Sequence, residues 1–358
     1  ASRFGAECHG RDLNPVAWFV TKKELETGRT DADELRESYE QVKAEVKDEI
    51  QSYYKTPCPH HPDDHDADVM NYFWVKQLDC TSCDDVVSLF DDYRVAKGRY
   101  EDDDKYHVFC PACESIVLVE DWQSECECSE CGHEYVPKEG TANRGSYTCR
   151  SCGQKYSITD AVDEQDGYEL QQYGLEYYCT ICDERRDYDR SDVKGYRQVQ
   201  QEDLDLEEQA RAEWEARPEL HEYIPDEEIP DGAITAASSV SGNDVFQHGI
   251  NDWKDMYNTR QKLTLSLLLK AIDSVEDENA QEYLLLAFSD SLRGNNMMMG
   301  YIQVGNQSDH IFRTNSFNPP QRPCESNLWG LNYGTRTFSS VWEKVLRGVE
   351  WGGAPTDR

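Results

Sequence analysis

The sequence is poor in positive charge and contains no long apolar segment. Its 358 residues include 36 Lys and Arg against 71 Asp and Glu, which gives a formal net charge of −35. This balance excludes a generically basic nucleic-acid-binding protein. No run of about 18 apolar residues occurs, as a membrane-spanning helix would need, and the start lacks the basic and apolar regions of a secretory signal peptide. We therefore expect a cytoplasmic protein with no membrane partner.

The acidic residues are spread along the chain rather than gathered in blocks. In about 1 M salt the Debye length is only about 3 Å, so the self-repulsion of such a surface is screened. The composition therefore predicts adaptation to a salt-rich, halophilic cytoplasm. The alternative is an acidic nucleic-acid mimic or an interaction tail, whose charge usually occurs in blocks.

The last hundred residues differ in charge from the rest. Residues 257–358 carry 10 basic and 11 acidic groups, so nearly all of the acidic excess precedes them. Arginines interleaved with aromatic residues suit phosphate contacts and base stacking. We predict that the irregular stretch from Arg293 to Trp351 carries recognition of a polyanion, and the alternative is a packed loop region with incidental arginines. The basic residues concerned are Arg293, Arg313, Arg322, Arg336, Lys344 and Arg347.

Fourteen cysteines in a chain without an export signal argue for metal binding rather than disulfides, because the cytosol keeps thiols reduced. Two ligands on one tight turn can both approach zinc at about 2.3 Å. Twelve such ligands make three closed sets, which favours structural zinc over a catalytic or redox role. The pairs are Cys58/His61, Cys80/Cys83, Cys110/Cys113, Cys128/Cys131, Cys149/Cys152 and Cys179/Cys182.

Taken in consecutive order, these pairs predict three tandem zinc ribbons within residues 57–190. Each interval between two pairs of one site is long enough for a β-hairpin. The histidine ligand of the first site is the least determined, since His60 or His65 could replace His61. In small modules of this kind metal binding supplies the free energy of folding, about 10–16 kcal/mol per site.

Three further cysteines lie outside this pattern. Cys126 could exchange with Cys128, although the glycine after Cys131 favours the Cys128/Cys131 turn. Cys8 and Cys324 have no partner at this spacing, so we interpret them as small buried hydrophobic residues.

The flanking segments predict strands and helices. Residues 7–11 resemble a strand that ends at Asp12, followed by a helix that begins at a proline. An acidic residue at a strand end can bind ribose hydroxyls, but a helix N-cap explains it equally well. Apolar spacing predicts an amphipathic helix from Thr30 to Tyr53 and two apolar helices, Arg260 to Val275 and Asn279 to Leu292.

These observations divide the chain into five parts. The predicted parts are a strand-helix segment (1–29), a connecting amphipathic helix (30–56), the zinc ribbons (57–190), an acidic helix and linker (191–232), and a mainly helical, loop-rich region that would recognise the target (233–358).

Beside the cysteine array, the sequence contains a series of further motifs. They are Asp12-Leu-Asn-Pro-Val-Ala-Trp-Phe-Val with Lys23-Glu-Leu, Glu282-Tyr-Leu-Leu-Leu-Ala-Phe-Ser-Asp290, Pro319-Pro-Gln-Arg-Pro323 and Asn327-Leu-Trp-Gly330. In this order they resemble the DUF1156 family of adenine-specific DNA methyltransferases with zinc ribbons, and the resemblance covers essentially the whole chain.

The resemblance implies an α/β fold: a partial Rossmann-like methyltransferase segment with three inserted zinc ribbons and a mainly helical C-terminal region. It implies S-adenosylmethionine as cofactor of the complete enzyme and adenine N6 of DNA as acceptor. By the same match, Asp12 would bind the ribose of the cofactor and Asn14 would help to shape its pocket.

Two family motifs are expected outside this sequence. No Gly-rich cofactor loop fits before Asp12, and the Asp-Pro-Pro-Tyr catalytic motif would follow residue 358. Asn318-Pro-Pro is not that motif, because Gln321 stands where an aromatic ring must stack on the base. We therefore assign no catalytic residue, expect no cofactor binding by this chain alone, and expect the missing portions on the same or a neighbouring chain. The alternative is a non-catalytic zinc-ribbon module that binds nucleic acid or protein.

Overall fold

The computed structural model describes residue 9 and residues 11–186, 188–232, 235, 245–313, 317, 319–331 and 333–353. The helices are α1 (Pro15–Glu26), α2 (Ala32–Ser52), α3 (Ile158–Gln165), α4 (Thr180–Arg185), α5 (Arg190–Val193), α6 (Gln201–Ala216), α7 (Thr259–Asp273), α8 (Glu278–Leu292) and α9 (Phe338–Gly353). Short 3-10 helices occupy Thr27–Arg29, Tyr100–Asp102, Pro218–Tyr223, Phe246–His248 and Trp253–Met256.

The strands are short except for two. They are β1 (Lys55–Pro57), β2 (Asp66–Asp79), β3 (Val86–Ser88), β4 (Arg94–Lys97), β5 (Tyr106–Phe109), β6 (Ile116–Val119), β7 (Cys126–Glu127), β8 (Glu134–Tyr135), β9 (Ala142–Asn143), β10 (Ser146–Thr148), β11 (Lys155–Ser157), β12 (Glu169–Tyr178), β13 (Lys194–Gln198), β14 (Tyr301–Ile302), β15 (Gln307–Ser308) and β16 (Cys324–Ser326).

A central antiparallel sheet is built around β2, which spans 14 residues. Its strand order is β1-β2-β12-β13, and β3 and β16 also pair with β2. The fold is therefore mixed α/β, with one larger and several small antiparallel sheets. The strand pairs of the described residues are antiparallel, and no parallel Rossmann-type pair occurs among them.

Both faces of β2 are covered, which explains its nearly continuous burial. Tyr72 and Trp74 belong to the core shared with α2, α7, α8 and α9. Phe73 and Val75 belong to a second core with the sheet β4-β5-β6. The strand is buried on both sides because a helical layer and a ribbon layer enclose it, as expected for a long apolar run.

Helix positions agree with the apolar spacing of the sequence. In α2 the buried residues Leu35, Val42, Val46 and Ile50 recur at helical steps. The helix is capped by Asp31, whose carboxylate accepts the Asp33 backbone N–H at 2.8 Å, one residue after the predicted start at Thr30. The two predicted apolar helices are α7 and α8, with bounds displaced by one or two residues.

The predicted boundary at residue 191 cuts through the central sheet. Strand β13 pairs with β12 from Lys194↔Tyr178 to Gln198↔Gly174. The acidic helix predicted after the ribbons is present as α6, but the same predicted part also contains β13, a strand of the central sheet.

Candidate metal centres

Four cysteine pairs form turns of the same geometry. In each turn the backbone N–H of the first cysteine donates to the carbonyl oxygen five residues later, at 2.7–2.9 Å, starting at Cys80, Cys110, Cys128 and Cys149. The residue after the second cysteine adopts a positive φ in three of them: 62° at Glu114, 71° at Gly132 and 74° at Gly153. Glycine at the latter two positions suits this conformation. These turns follow from the local spacing, as the sequence predicts.

Three groups of four side chains bring their ligand atoms within 4.8 Å of one another. We call them the hairpin site (Cys58, His65, Cys179 and Cys182), the strand-end site (Cys80, Cys83, Cys149 and Cys152) and the ribbon site (Cys110, Cys113, Cys128 and Cys131). All three are Cys/His clusters compatible with structural metal sites. They contain eleven of the twelve predicted ligands.

The consecutive pairing of the six turns is wrong for two of the three sites. Only the ribbon site joins neighbouring pairs, and the other two sites are nested around it. The cause is the pairing of β2 with β12, which runs from Glu169↔Gln77 to Tyr178↔Asp68. The start of β2 therefore lies beside the end of β12, and the hairpin site forms there.

The strand-end site lies at the opposite end of the same strand pair. Cys80 follows the last residue of β2, and the β10–β11 turn that holds Cys149 and Cys152 precedes α3 and β12. A hydrogen bond joins the end of β2 to the end of α3 here, since the Gln165 side chain accepts the Asp79 backbone N–H at 2.9 Å. The sites are therefore nested because β2 and β12 form one long antiparallel pair, and the ribbon site lies in the segment of chain between these two strands.

The structure places His65, an alternative left open by the sequence, in the hairpin site and leaves His61 outside it. The β1–β2 hairpin has the register Pro57↔Asp66, so Cys58 and His65 are the next pair along the ladder. The Cys58 backbone N–H donates to the His65 carbonyl at 3.2 Å. His65 Nε2 lies 3.2 Å from Cys179 Sγ and 3.5 Å from Cys182 Sγ.

The other two histidines of this loop contact different partners. His61 Nε2 lies 3.1 Å from the Tyr188 hydroxyl. His60 Nε2 lies 2.9 Å from the Asp192 carbonyl, and its ring stacks on Tyr188. These rings pack beside the hairpin site and do not complete it.

The ligand distances match a tetrahedron around zinc. With Zn–S bonds of about 2.3 Å, the edge between two sulfurs is about 3.8 Å, whereas a disulfide would be near 2.05 Å. The shortest Sγ–Sγ distances between the paired turns are 3.5 and 3.6 Å in the hairpin site, 3.6 and 3.7 Å in the strand-end site and 3.7 Å in the ribbon site. The described cysteines are free thiols. Four ligands per group leave no open coordination position for a reacting water.

Hydrogen bonds favour the thiolate form at two ligands. The Ser82 backbone N–H lowers the pKa of Cys80 to about 7, and the Ser115 side chain lowers the pKa of Cys113 to about 6. Other thiols of the same sites are shifted the opposite way: burial raises the pKa of Cys110, and the pKa of Cys149 is raised as well. A cation at each centre would stabilise the thiolate, which is the metal-binding form. The hairpin site is the most enclosed, since its three cysteines are buried, whereas Cys131 and Cys152 are exposed.

The remaining cysteines take no part in these groups. Cys126 lies in β7 opposite Tyr135 and packs in the ribbon core, which leaves Cys128 as the ligand. Cys324 is fully buried, as expected for a small hydrophobic residue. Cys8 lies outside the described residues.

Asp12 and Asn14 are exposed at the start of α1. The Asn14 side chain caps this helix, accepting the Val16 backbone N–H at 2.9 Å. Asp12 Oδ1 accepts the Asn14 backbone N–H at 2.8 Å. No strand occurs at residues 11–14, and residues 1–8 lie outside the described part of the chain.

The arginines of the final region are largely held by other groups of the protein. Arg322 contacts Asp91 at 2.8 Å and donates to the Arg94 carbonyl at 2.8 Å. Arg336 donates to the Ser308 carbonyl at 2.7 Å. Arg313 is 60% exposed but pairs with Asp309 at 2.7 Å. The geometry at Arg322 matches the alternative of a packed loop region rather than a free phosphate-binding side chain.

The chain matches no protein-family model, no curated protein and no solved structure. Among the described helices, none combines the length and hydropathy that crossing a membrane requires.

Proposed function

We propose that the chain is the metal-ordered insert and target-recognition part of a DNA adenine-N6 methyltransferase that uses S-adenosylmethionine. The motif series described above is the basis for the activity, the cofactor and the DNA partner. In this proposal the metal is zinc, which the Cys/His ligand sets suit. Its role is structural because each group already supplies four ligands.

One observation of the structure carries this proposal, namely three exposed apolar side chains at the start of α1. Leu13, Val16 and Trp18 lie in solvent although they are large and hydrophobic. Several large apolar side chains exposed within six residues favour an interaction site there. A Rossmann-like sheet supplied elsewhere would cover these side chains and bring Asp12 to the edge where cofactor ribose binds.

The test is methylation by the chain expressed together with the polypeptides encoded on either side of it. DNA from the expressing cells is digested to nucleosides, and N6-methyladenine is measured by mass spectrometry. Asp12→Ala is expected to abolish methylation without changing the metal content. Asp163→Ala, an exposed carboxylate on α3, is the matched control and is expected to leave methylation unchanged.

Two results would count against the proposal. Full methylation by Asp12→Ala would remove Asp12 from the cofactor site. No methylation by any combination would favour the second candidate, a non-catalytic zinc module that binds nucleic acid or protein. That candidate is favoured by one observation, since Asn14 is already occupied in capping α1.

A further inference from the structure

A cavity of about 200 Å³ lies against the central sheet, and none of its lining residues is a ligand of the three metal centres. The sheet side of its wall comes from Met70, Glu176 and Lys194. The opposite side comes from residues 305–308 and from the loop that runs between β16 and α9. The cavity is therefore enclosed by segments far apart in the sequence.

A row of buried polar side chains crosses three strands at the floor of this cavity. Ser326 is opposite Asn71, and Asn71 is opposite Glu176. The Ser326 hydroxyl donates to Asn71 Oδ1 at 2.8 Å, and Asn71 Nδ2 donates to Glu176 Oε2 at 2.7 Å. The register shifts between Glu176 and Tyr177, an irregularity of the kind that re-aims side chains beside functional sites.

Two cations converge on the single carboxylate of this row. Arg99 Nη2 lies 2.7 Å from Glu176 Oε1, and the Tyr301 hydroxyl donates to Oε2 at 3.0 Å. Lys194 Nζ lies 3.9 Å from Oε1, beyond hydrogen-bonding distance. Glu176 thus has closer partners than Lys194, and the ammonium of Lys194 makes only the longer ion pair with it.

The Lys194 ammonium has no carboxylate within hydrogen-bonding distance among the described residues. Its side chain is only 12% exposed, and among the described residues no carboxylate is closer than Glu176. It lies 4.7 Å from the centre of the Tyr333 ring. Burial lowers the pKa of Lys194, because a desolvated cation without a close partner is unfavourable. Lys194 and Glu176 are the charged residues of the lining, and because the Glu176 oxygens already have closer donors, Lys194 is the charged group left for a ligand.

The loop over the cavity is preformed. Gly330 and Gly334 have positive φ values of 89° and 116°, conformations that side chains disfavour. The Asn327 side chain fixes the loop by donating to the Val69 carbonyl and accepting the Gly330 backbone N–H, both at 3.0 Å. Preformed cavities with a few placed polar groups are typical of small-molecule sites.

We propose that this cavity binds a small organic anion. Its carboxylate or phosphate oxygens would accept hydrogen bonds from Lys194 Nζ, and its carbon part would pack against Tyr333 and Leu331. The ligand must be small, since binding pockets for drug-sized molecules start at about 300 Å³. This site is separate from the proposed methyl transfer, and either could fail without the other.

Calorimetry on the full chain tests the proposal with two oxyanion probes, inorganic phosphate and benzoate. We expect saturable binding of at least one of them, and the stronger one identifies the oxyanion. Lys194→Met is expected to weaken that binding at least about tenfold, since a hydrogen bond to a charged group is lost. Lys138→Met, at an exposed lysine, is the control and should bind like the wild type.

A second measurement does not depend on the stability of the variant. In wild-type protein labelled at the methionine methyl groups, the probe should shift the NMR signal of Met70, which lines the cavity, and leave Met256 unchanged. Binding that survives Lys194→Met, or the absence of saturable binding by both probes, would overturn the proposal. A DNA oligonucleotide that shifts Met70 when neither small anion does would overturn it as well.

Discussion

The nested pairing of the cysteine turns and the consecutive pairing predict opposite metal contents when chosen cysteines are removed. We replace four cysteines by serine in each of two variants and count the metal ions that remain of an expected three. The first variant removes Cys80, Cys83, Cys149 and Cys152, and the second removes Cys149, Cys152, Cys179 and Cys182. Nested order leaves two ions in the first variant and one in the second. Consecutive order would leave one and two.

The magnitude follows from the number of ligands lost. A complete structural zinc site binds with about 10–16 kcal/mol. If two of four ligands are removed, roughly half remains, about 5–8 kcal/mol, which corresponds to dissociation constants between about 0.1 mM and 1 μM. Such a site loses its ion during gel filtration, whereas a complete site keeps it. In the second variant the hairpin site keeps only Cys58 and His65, so it falls in this weak range.

The assay is elemental analysis of the purified protein after gel filtration, together with native mass spectrometry. Cys126→Ser is the control and should retain three ions, because Cys126 lies outside the groups. Circular dichroism then shows whether the helices persist in each variant. One ion in the first variant and two in the second would refute the pairing derived from β2 and β12.

Three further predictions concern single residues. His65→Ala removes one of four ligands and about a quarter of the binding free energy, about 2.5–4 kcal/mol, so it should lower the metal affinity of the hairpin site about 100- to 1000-fold. His61→Ala should leave that affinity unchanged. Equal losses in a chelator competition would contradict the geometry. Arg260→Met leaves Glu325 buried without its 2.7 Å partner. It should lower the free energy of unfolding, measured with urea, by about 3–5 kcal/mol. A decrease below about 1 kcal/mol would refute this role of Arg260. Burial lowers the pKa of Lys76 to about 7 from 10.5, so the unfolded state binds more protons between these values and stability from this group rises with pH there. Lys76→Met should remove that rise, and identical pH profiles of unfolding would contradict it.

The parts of the structure predicted correctly from the sequence are those set by local spacing. The stripe of Leu35, Val42 and Ile50 determines α2, and the two-residue spacing of cysteines determines the metal-binding turns. Which turns meet depends on the register of β2 with β12, whose strands are separated by about ninety residues, and the spacing of neighbouring cysteines carries no information about it. The length of the segment 66–79 was the available signal, because a 14-residue strand needs a long partner and does not fit a small ribbon.

The same register argument explains the histidine. Cys58 and His61 have the spacing of a tight metal-binding turn, so the sequence favours His61 when the segment is considered alone. In the structure the chain continues the β1–β2 ladder to Cys58 and His65 before it turns. Because the two ligands lie opposite each other on the paired strands rather than along one turn, the histidine ligand is His65 instead of His61.

Arginines of the final region, residues 257–358, form ion pairs that connect the layers of the fold. Arg322 joins the segment before β16 to the ribbon layer through Asp91 and Asp92, and Arg260 joins α7 to β16 through Glu325. These cations hold the layers together across the central sheet, so they are not free to neutralise phosphates. A DNA contact in the proposed enzyme would therefore depend more on stacking and shape than on counterion release, which contributes little in concentrated salt.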